Sequence, residues 1–207
     1  MSSYQVLSQV SRQLQRLLWQ GISDELARDS ALHDTLDRLE QIVFTNPTEA
    51  ARDSSNRLSL WLYRIAENEF LKNGAFEPAG APAPSARPAP RRRDRFPPLS
   101  LNLFYLMTPL TASGEGDLLL LGKAMQIFYD NPSVPLDDDL FDIHEQLHIT
   151  LCRLTLEELT RIWEALREPY RLSVCYEVRA TRVDSQRVLE RGRVVHRDAE
   201  LGERPKE

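Results

Sequence analysis

The string HEQLH that begins at His144 is the clearest match in this sequence to a catalytic motif. In zinc peptidases, an HExxH string on a helix places two imidazoles on one face, and its glutamate acts as general base. Here His144 and His148 would be the ligands and Glu145 the base. The motif requires a helix, whereas Ile149 and Thr150 are β-branched and favour a strand. A zinc-dependent hydrolase is therefore an alternative function, and the preferred interpretation has no catalytic residue, metal or cofactor.

A second string, from Gly114 to Ala124, has some features of a phosphate-binding loop. Five residues rather than four separate Gly116 from Gly122, and Ala124 occupies the position where Ser or Thr would hold magnesium. The acidic side chain of Asp117 would also repel phosphate. The string predicts a turn that leads into a core helix.

The run RRRDR at 91–95 is the strongest local cluster of positive charge. No stacking aromatic residues are interleaved with it, and the whole chain has a net charge of −5. These features argue against direct nucleic-acid binding. They favour a solvated arm that contacts an acidic partner.

Two apolar segments flank that arm and predict neighbouring strands, at 57–65 and 98–107. In the first segment, alternation assigns one face to the core and leaves an aromatic, half-buried face that needs a helix or a partner over it. The core-facing residues would be Leu58, Leu60 and Leu62, and the opposite face would present Ser59, Trp61 and Tyr63. In the second segment, one face would carry Leu99, Leu101, Leu103, Tyr105 and Met107.

Other patterns supply the remaining elements. Apolar spacing and caps predict helices at 4–19, 24–39, 118–129 and 156–166, and β-branched or alternating segments predict strands at 41–45, 147–152, 170–183 and 193–196. Asp117 would cap the third helix, with Leu118 on its buried stripe. Thr155 and Glu158 form a capping box for the fourth, with Leu156 facing the core. The fold class expected is α+β, with a mixed, largely antiparallel sheet of about 4–6 strands packed against about 3–4 helices.

The domain organisation follows from composition. Residues 1–185 are expected to form a single domain, interrupted by a flexible Pro/Arg-rich insertion at 74–96, and 186–207 a charged extension. Cys152 and Cys175 lie in apolar segments, which predicts two buried thiols in a reducing compartment. The N-terminal segment has neither a signal-peptide core nor a membrane span, so a soluble, cytosolic protein is expected.

Several segments, taken in order, resemble one known family, the tail-terminator or cap proteins of extracellular contractile injection systems of the antifeeding-prophage type. The segments are LWLYRIAENEFLKN at 60–73, PPLSLNLFYLMTP at 97–109, LLGKAMQIFYDNP at 120–132 and LTLEELTRIWEALREPYRLSVCYEVRATRVDS at 154–185. The resemblance covers roughly residues 4–185. The Pro/Arg insertion and HEQLH depart from the family pattern.

The resemblance implies a ring, expected to be a hexamer, on the distal end of an inner tube and sheath. Such a ring stops polymerisation and anchors the sheath, without enzymatic activity or membrane insertion. It would assemble in the cytoplasm and become part of a phage-tail-like particle. Candidate contact residues are Asn68, Phe70, Lys72 and Asn73 at a strand exit, and Arg91, Arg92, Arg93 and Arg95 on the arm. A cytosolic adaptor that binds through the Pro/Arg arm is a further alternative.

Overall fold

A computed structural model describes residues 4–26, 35–53, 55–71, 77–78, 91–138, 143–185 and 187–192. In chain order its elements are α1 (Val6–Leu26), a 3-10 turn (Leu39–Gln41), β1 (Ile42–Val43), α2 (Pro47–Ala50), β2 (Arg57–Glu67), β3 (Glu77–Pro78), β4 (Arg91–Arg95), β5 (Leu99–Leu110), α3 (Gly114–Asp130), β6 (Ser133–Asp138), β7 (Ile143–Leu151), α4 (Leu156–Leu166), β8 (Val174–Val183) and β9 (Val188–Gly192). They fall into two compact units, of which the first spans Met1–Lys72 and Leu99–Asp184 and the second Asn73–Pro98 and Ser185–Glu207.

The first unit contains a six-stranded sheet in the order β1-β2-β5-β8-β7-β6. Only the β1/β2 pair is parallel, and the other neighbours are antiparallel. The two strands predicted around the insertion are β2 and β5, and they pair along most of their length. A β-bulge between Leu62 and Arg64 shifts their register. The predicted α+β class, with a largely antiparallel sheet and several helices, is confirmed.

Helices α1 and α3 bury their apolar faces together with one face of this sheet. The α1 stripe recurs every four residues and consists of Val6, Val10, Leu14, Leu18 and Ile22, all fully buried. Because Ile22 continues the stripe, the helix runs to Leu26 rather than ending at 19. The Ser11 hydroxyl lies 2.9 Å from that of Tyr105 on β5, and burial raises the pKa of Tyr105 to about 12.

The beginning of α3 differs from the prediction. Ser113 is the N-cap, because its hydroxyl accepts a hydrogen bond from Gly116 N at 3.0 Å. Asp117, the predicted cap, instead accepts a hydrogen bond from Thr111 N. Leu118 is 63% exposed, so its predicted burial is wrong. One helical face is too narrow for four consecutive leucines, and the buried ones are Leu120 and Leu121.

Close contact between α1 and α3 depends on Gly21. A Cβ at this position would lie 2.6 Å from Cγ1 of Ile127. We expect Gly21→Ala to lower the free energy of unfolding by about 1 kcal/mol, because an overpacking cost of about 1–3 kcal/mol exceeds the roughly 1 kcal/mol gained in helix propensity. Urea denaturation followed by circular dichroism measures the change.

Gly122 on α3 provides the matched control, since a Cβ there would meet nothing within 4 Å. Gly122→Ala is expected to stabilise the protein by up to about 1 kcal/mol. Adding Ile127→Val to Gly21→Ala should recover part of the loss. Equal stabilisation by the two alanines would contradict a tight helix contact at Gly21.

Helix α4 begins at the predicted capping box. Thr155 accepts a hydrogen bond from Glu158 N, and the Glu158 carboxylate accepts one from Thr155 N at 2.8 Å. The Thr155 backbone donor holds the pKa of Glu158 below its usual value. Trp163 is the residue that α4 buries, and its indole N–H donates to Ser173 Oγ at 3.2 Å. Leu156 is 67% exposed, so its predicted burial is wrong. It shares a face with Trp163, but it lies two turns away at the exposed end of the helix.

The remaining boundaries differ from the predictions in smaller ways. The helix predicted at 24–39 includes residues 27–34, which lie outside the described residues. Residues 24–26 belong to α1, and the prediction is wrong for 35–38, which are not helical. The predicted loop after β1 contains the short helix α2, which Asn46 caps through Glu49 N. Strand β8 begins at Val174 rather than at 170. The strand predicted at 193–196 lies outside the described residues.

The second unit contains a three-stranded antiparallel sheet in the order β3-β4-β9. Its central strand is the RRRDR run. In the backbone register, Arg93 lies opposite Glu190 and Arg95 opposite Val188. A segment of the predicted insertion and a segment of the predicted C-terminal extension are therefore neighbours in one sheet.

Candidate interaction surface

The HEQLH string lies on β7 and is extended. In a strand, the Cα atoms of His144 and His148 lie about 13 Å apart, about twice their separation on successive turns of a helix. Alternation also assigns Glu145 and His148 to opposite faces, and the Glu145 carboxylate accepts a hydrogen bond from Arg182 N at 3.1 Å. The geometry that an HExxH zinc site requires is therefore not formed. Among the described residues, no group of three or more His, Cys, Asp or Glu side chains could hold a metal ion.

The glycine and lysine residues of the second string belong to α3. Gly114 and Gly116 lie in its first turn, and Lys123 forms an ion pair with Glu25 of α1 at 2.6 Å. This lysine links the two helices, and the string is not a phosphate loop.

Asn68 organises the exit of β2, where several contact residues were predicted. Its side chain donates to Asn102 Oδ1 at 3.0 Å, and its own oxygen accepts from Phe70 N. Asn102 in turn donates to Glu177 Oε1 at 2.9 Å, and Arg179 pairs with the same carboxylate. This network connects β2, β5 and β8, so Asn68 is a positioning residue that is only 8% exposed.

The other predicted contact residues have different environments. Phe70, held by Asn68, is 97% exposed, and Leu71 beside it is 46% exposed. Lys72 and Asn73 lie outside the described residues. The four predicted arginines belong to β4. Their role in an interface stays a prediction.

The face of the sheet opposite α1 and α3 carries a row of half-buried aromatic rings, as alternation predicted. The Tyr63 ring lies 6.1 Å from that of Trp61 and 6.5 Å from that of Phe104, between ring centroids. The exposed Arg64 guanidinium lies 5.0 Å from the Phe104 centroid. This aromatic row has the composition of a protein contact surface.

An apolar groove lies on the other face, between the end of α3 and β7. It encloses about 870 Å³, and its lining includes Met125, Phe128, Tyr129, Ile149, Leu151 and Tyr176. Tyr129 is 85% exposed at its rim. No local pattern predicts this groove, because its lining combines residues of α3, β7 and β8 that lie far apart in the sequence.

These sites contain large exposed apolar side chains. Phe70, Tyr129 and Leu156 project from separate elements of the first unit. Large exposed apolar side chains that form patches are typical of protein contact surfaces. None of the helices in the described residues combines the length and the apolar character needed to cross a membrane.

The fold is that of solved terminators of contractile injection systems. One cryo-EM structure, the PVC sheath/tube terminator of an extracellular contractile injection system in its extended state, matches with a TM-score of 0.55 at 18% identity, over 89% of this chain and 64% of that chain. Another, the anti-feeding prophage cap, described as a tube terminating cap, matches with a TM-score of 0.53 at 14% identity, over 82% of this chain and 55% of that chain. The matches thus span less than two thirds of either terminator.

Residues 9–197 match the family model described as the Pvc16 N-terminal domain. The chain belongs to this family, which confirms the resemblance to tail terminators. No curated protein matches the chain.

Proposed function

We propose that this protein is a structural, non-enzymatic terminator of a contractile injection system. The observation that supports the proposal most strongly is the match of residues 9–197 to the Pvc16 N-terminal domain. Two proteins that share its fold are described as a sheath/tube terminator and a tube terminating cap. The extended conformation of β7 gives no support to the zinc-hydrolase alternative.

The proposed terminator is a homo-oligomeric ring, with six copies as the expected number. A closed ring requires two different, mutually complementary patches on each copy. The first unit has such distinct surfaces, because the exposed Phe70 lies at the exit of β2 and the groove rimmed by Tyr129 at the end of α3. Either patch could contact a neighbouring copy or a tube or sheath subunit.

The ring can stop polymerisation of the tube and sheath if its two sides present different surfaces. One side binds the last subunits of the inner tube and sheath, whereas the other offers no surface for a further layer. Polymerisation then stops, and the sheath keeps a fixed attachment at that end during contraction. The ring would assemble in the cytoplasm and become part of the particle.

Reconstitution with the tube and sheath proteins of the same particle tests this function. We expect a ring in mass photometry, density at one end of each tube in negative-stain images, and a narrower distribution of tube lengths than without the protein. Persistence as a monomer that never joins a tube or sheath end would overturn the proposal. A monomer that binds acidic proteins through the second unit would favour the adaptor alternative.

A matched pair of surface variants makes the same experiment residue-specific. Phe70→Ser should weaken ring formation or end binding about tenfold or more without unfolding the protein, because Phe70 is 97% exposed. Leu118→Ser is the control, since Leu118 is 63% exposed on a different element. Unchanged assembly of Phe70→Ser would remove this residue from the interface.

A further inference from the structure

Cys152 and Cys175 are neighbours across the end of β7 and the beginning of β8. The last ladder pair is Leu151 with Tyr176, and Cys152 N donates to the Cys175 carbonyl oxygen at 2.8 Å, which continues the same register. Directly opposed residues of an antiparallel pair have Cα atoms about 4.5–5.5 Å apart. That spacing lies within the roughly 4.4–6.8 Å range of natural disulfides.

The side chains of the two cysteines are also close enough to affect each other. Both cysteines are free, and each thiol shifts the pKa of the other. Tyr63 of the aromatic row places its hydroxyl 3.2 Å from Cys175 Sγ. Cys175 is only 2% exposed, whereas Cys152 is partly exposed. Cys152 is thus the more accessible of the two cysteines to a small reagent.

We propose that Cys152 and Cys175 form a reversible disulfide site, which closes when the protein meets a low-molecular-weight disulfide such as glutathione disulfide. The site does not rest on the proposed function. It revises the prediction of two buried thiols without a disulfide, because the strand register brings the two cysteines together although they lie far apart in the sequence.

Closure takes two exchange steps. The Cys152 thiolate first attacks one sulfur of glutathione disulfide, forming a mixed disulfide and releasing one glutathione, which takes up the cysteine's proton. The Cys175 thiolate then attacks the Cys152 sulfur and displaces the second glutathione. Two protein thiols are oxidised, and one glutathione disulfide is reduced to two glutathione molecules.

The Tyr63 hydroxyl suits Cys175 for the second step. In the reduced protein the Cys152 thiol contributes most to lowering the pKa of Cys175, and the Tyr63 hydroxyl acts in the same direction, although burial opposes both. Once Cys152 is in the mixed disulfide, it has no thiol proton to donate, whereas the Tyr63 hydroxyl is unchanged. The neighbouring Cys175 thiol and partial burial raise the pKa of Cys152, so the first step is expected to be the slower one. A mixed disulfide should therefore accumulate little in the unmodified protein.

The closed site would connect β8 to the segment that leads into α4. Cys152 lies three residues before Thr155, the N-cap of that helix. A disulfide there closes the loop that contains α4 and restricts the unfolded chain. Oxidation should therefore raise the urea midpoint of unfolding, and reduction should reverse the rise.

The test uses the full chain, folded and reduced, incubated with glutathione disulfide and then treated with a maleimide. We expect intact mass to show the loss of two hydrogens, no maleimide addition, and a linked Cys152–Cys175 peptide that dithiothreitol separates. A stable glutathione adduct on Cys152, two unreacted thiols, or a disulfide-linked dimer would each overturn the proposal.

Two serine variants identify the order of attack. Cys175→Ser should stop at a stable glutathione adduct on Cys152. Cys152→Ser should leave the buried Cys175 largely unreacted under conditions in which circular dichroism shows a folded protein. Faster glutathionylation of Cys152→Ser than of Cys175→Ser would overturn the assignment of Cys152 as the first nucleophile.

Discussion

Leu103→Ala is expected to lower the free energy of unfolding by about 3–5 kcal/mol, which is a large part of the roughly 5–15 kcal/mol that stabilises a typical domain. Leu103 is fully buried in β5, which lies between β2 and β8. It pairs with Ile65 on one side and with Val178 on the other. The neighbouring strands and the helices packed on this face surround the Leu103 side chain. The structure therefore has little freedom to collapse into the cavity that the substitution would leave. Urea denaturation monitored by circular dichroism measures the loss.

Leu99→Ala is the matched control for this substitution. Leu99 lies on the same strand and, by alternation, on the same side, but it is 47% exposed. Its truncation should change the free energy of unfolding by less than about 1 kcal/mol. Losses of equal size in the two variants would show that the centre of the core does not lie beneath β5.

Trp163→Ala is expected to have the second large effect. It should lower the free energy of unfolding by about 3–5 kcal/mol if α4 unfolds together with the rest of the first unit. Trp163 is 2% exposed and is the only residue that α4 buries among the described residues. Its ring also meets that of Tyr170 edge to face, at 6.5 Å between centroids. Without the indole, α4 keeps its capping box but loses its main attachment.

Hydrogen exchange of the α4 amides, together with urea denaturation, distinguishes the possible outcomes. In Trp163→Ala, protection in α4 should fall more than protection in β5. Trp163→Phe should cost less, because it keeps an aromatic ring and loses mainly the hydrogen bond to Ser173, worth about 1 kcal/mol. Unchanged α4 protection in Trp163→Ala would contradict the anchoring role of this residue.

Local patterns were sufficient to predict much of the sheet and the helices. Alternation in β2 identified the buried Leu58 and Leu60 and the half-buried Trp61 and Tyr63, because the period of a strand is independent of its partners. The capping box of α4 was equally local. The family resemblance, based on ordered segments, then indicated the family that the match of residues 9–197 confirms.

Features that depend on distant pairing were not visible in the sequence. The Asn68, Asn102 and Glu177 network draws one residue from the end of β2 and one each from β5 and β8, and none has a characteristic local pattern. The adjacency of Cys152 and Cys175 depends on the β7/β8 register. The pairing of β4 with β9 joins segments almost a hundred residues apart, which local periodicity does not report.

The β-bulge in β2 also affects whether copies of this protein can join through the edges of their sheets. Strand β1 pairs only with Leu58 and Ser59, so within the described part of the chain residues 60–66 have no strand beside them on that edge. A long, flat, apolar edge strand can pair with the same edge of another molecule and lead to aggregation. Here the bulge bends the edge, and the exposed charge of Arg64 would have to be desolvated by any incoming strand. The bulge and Arg64 therefore disfavour the addition of a strand from another molecule at this edge.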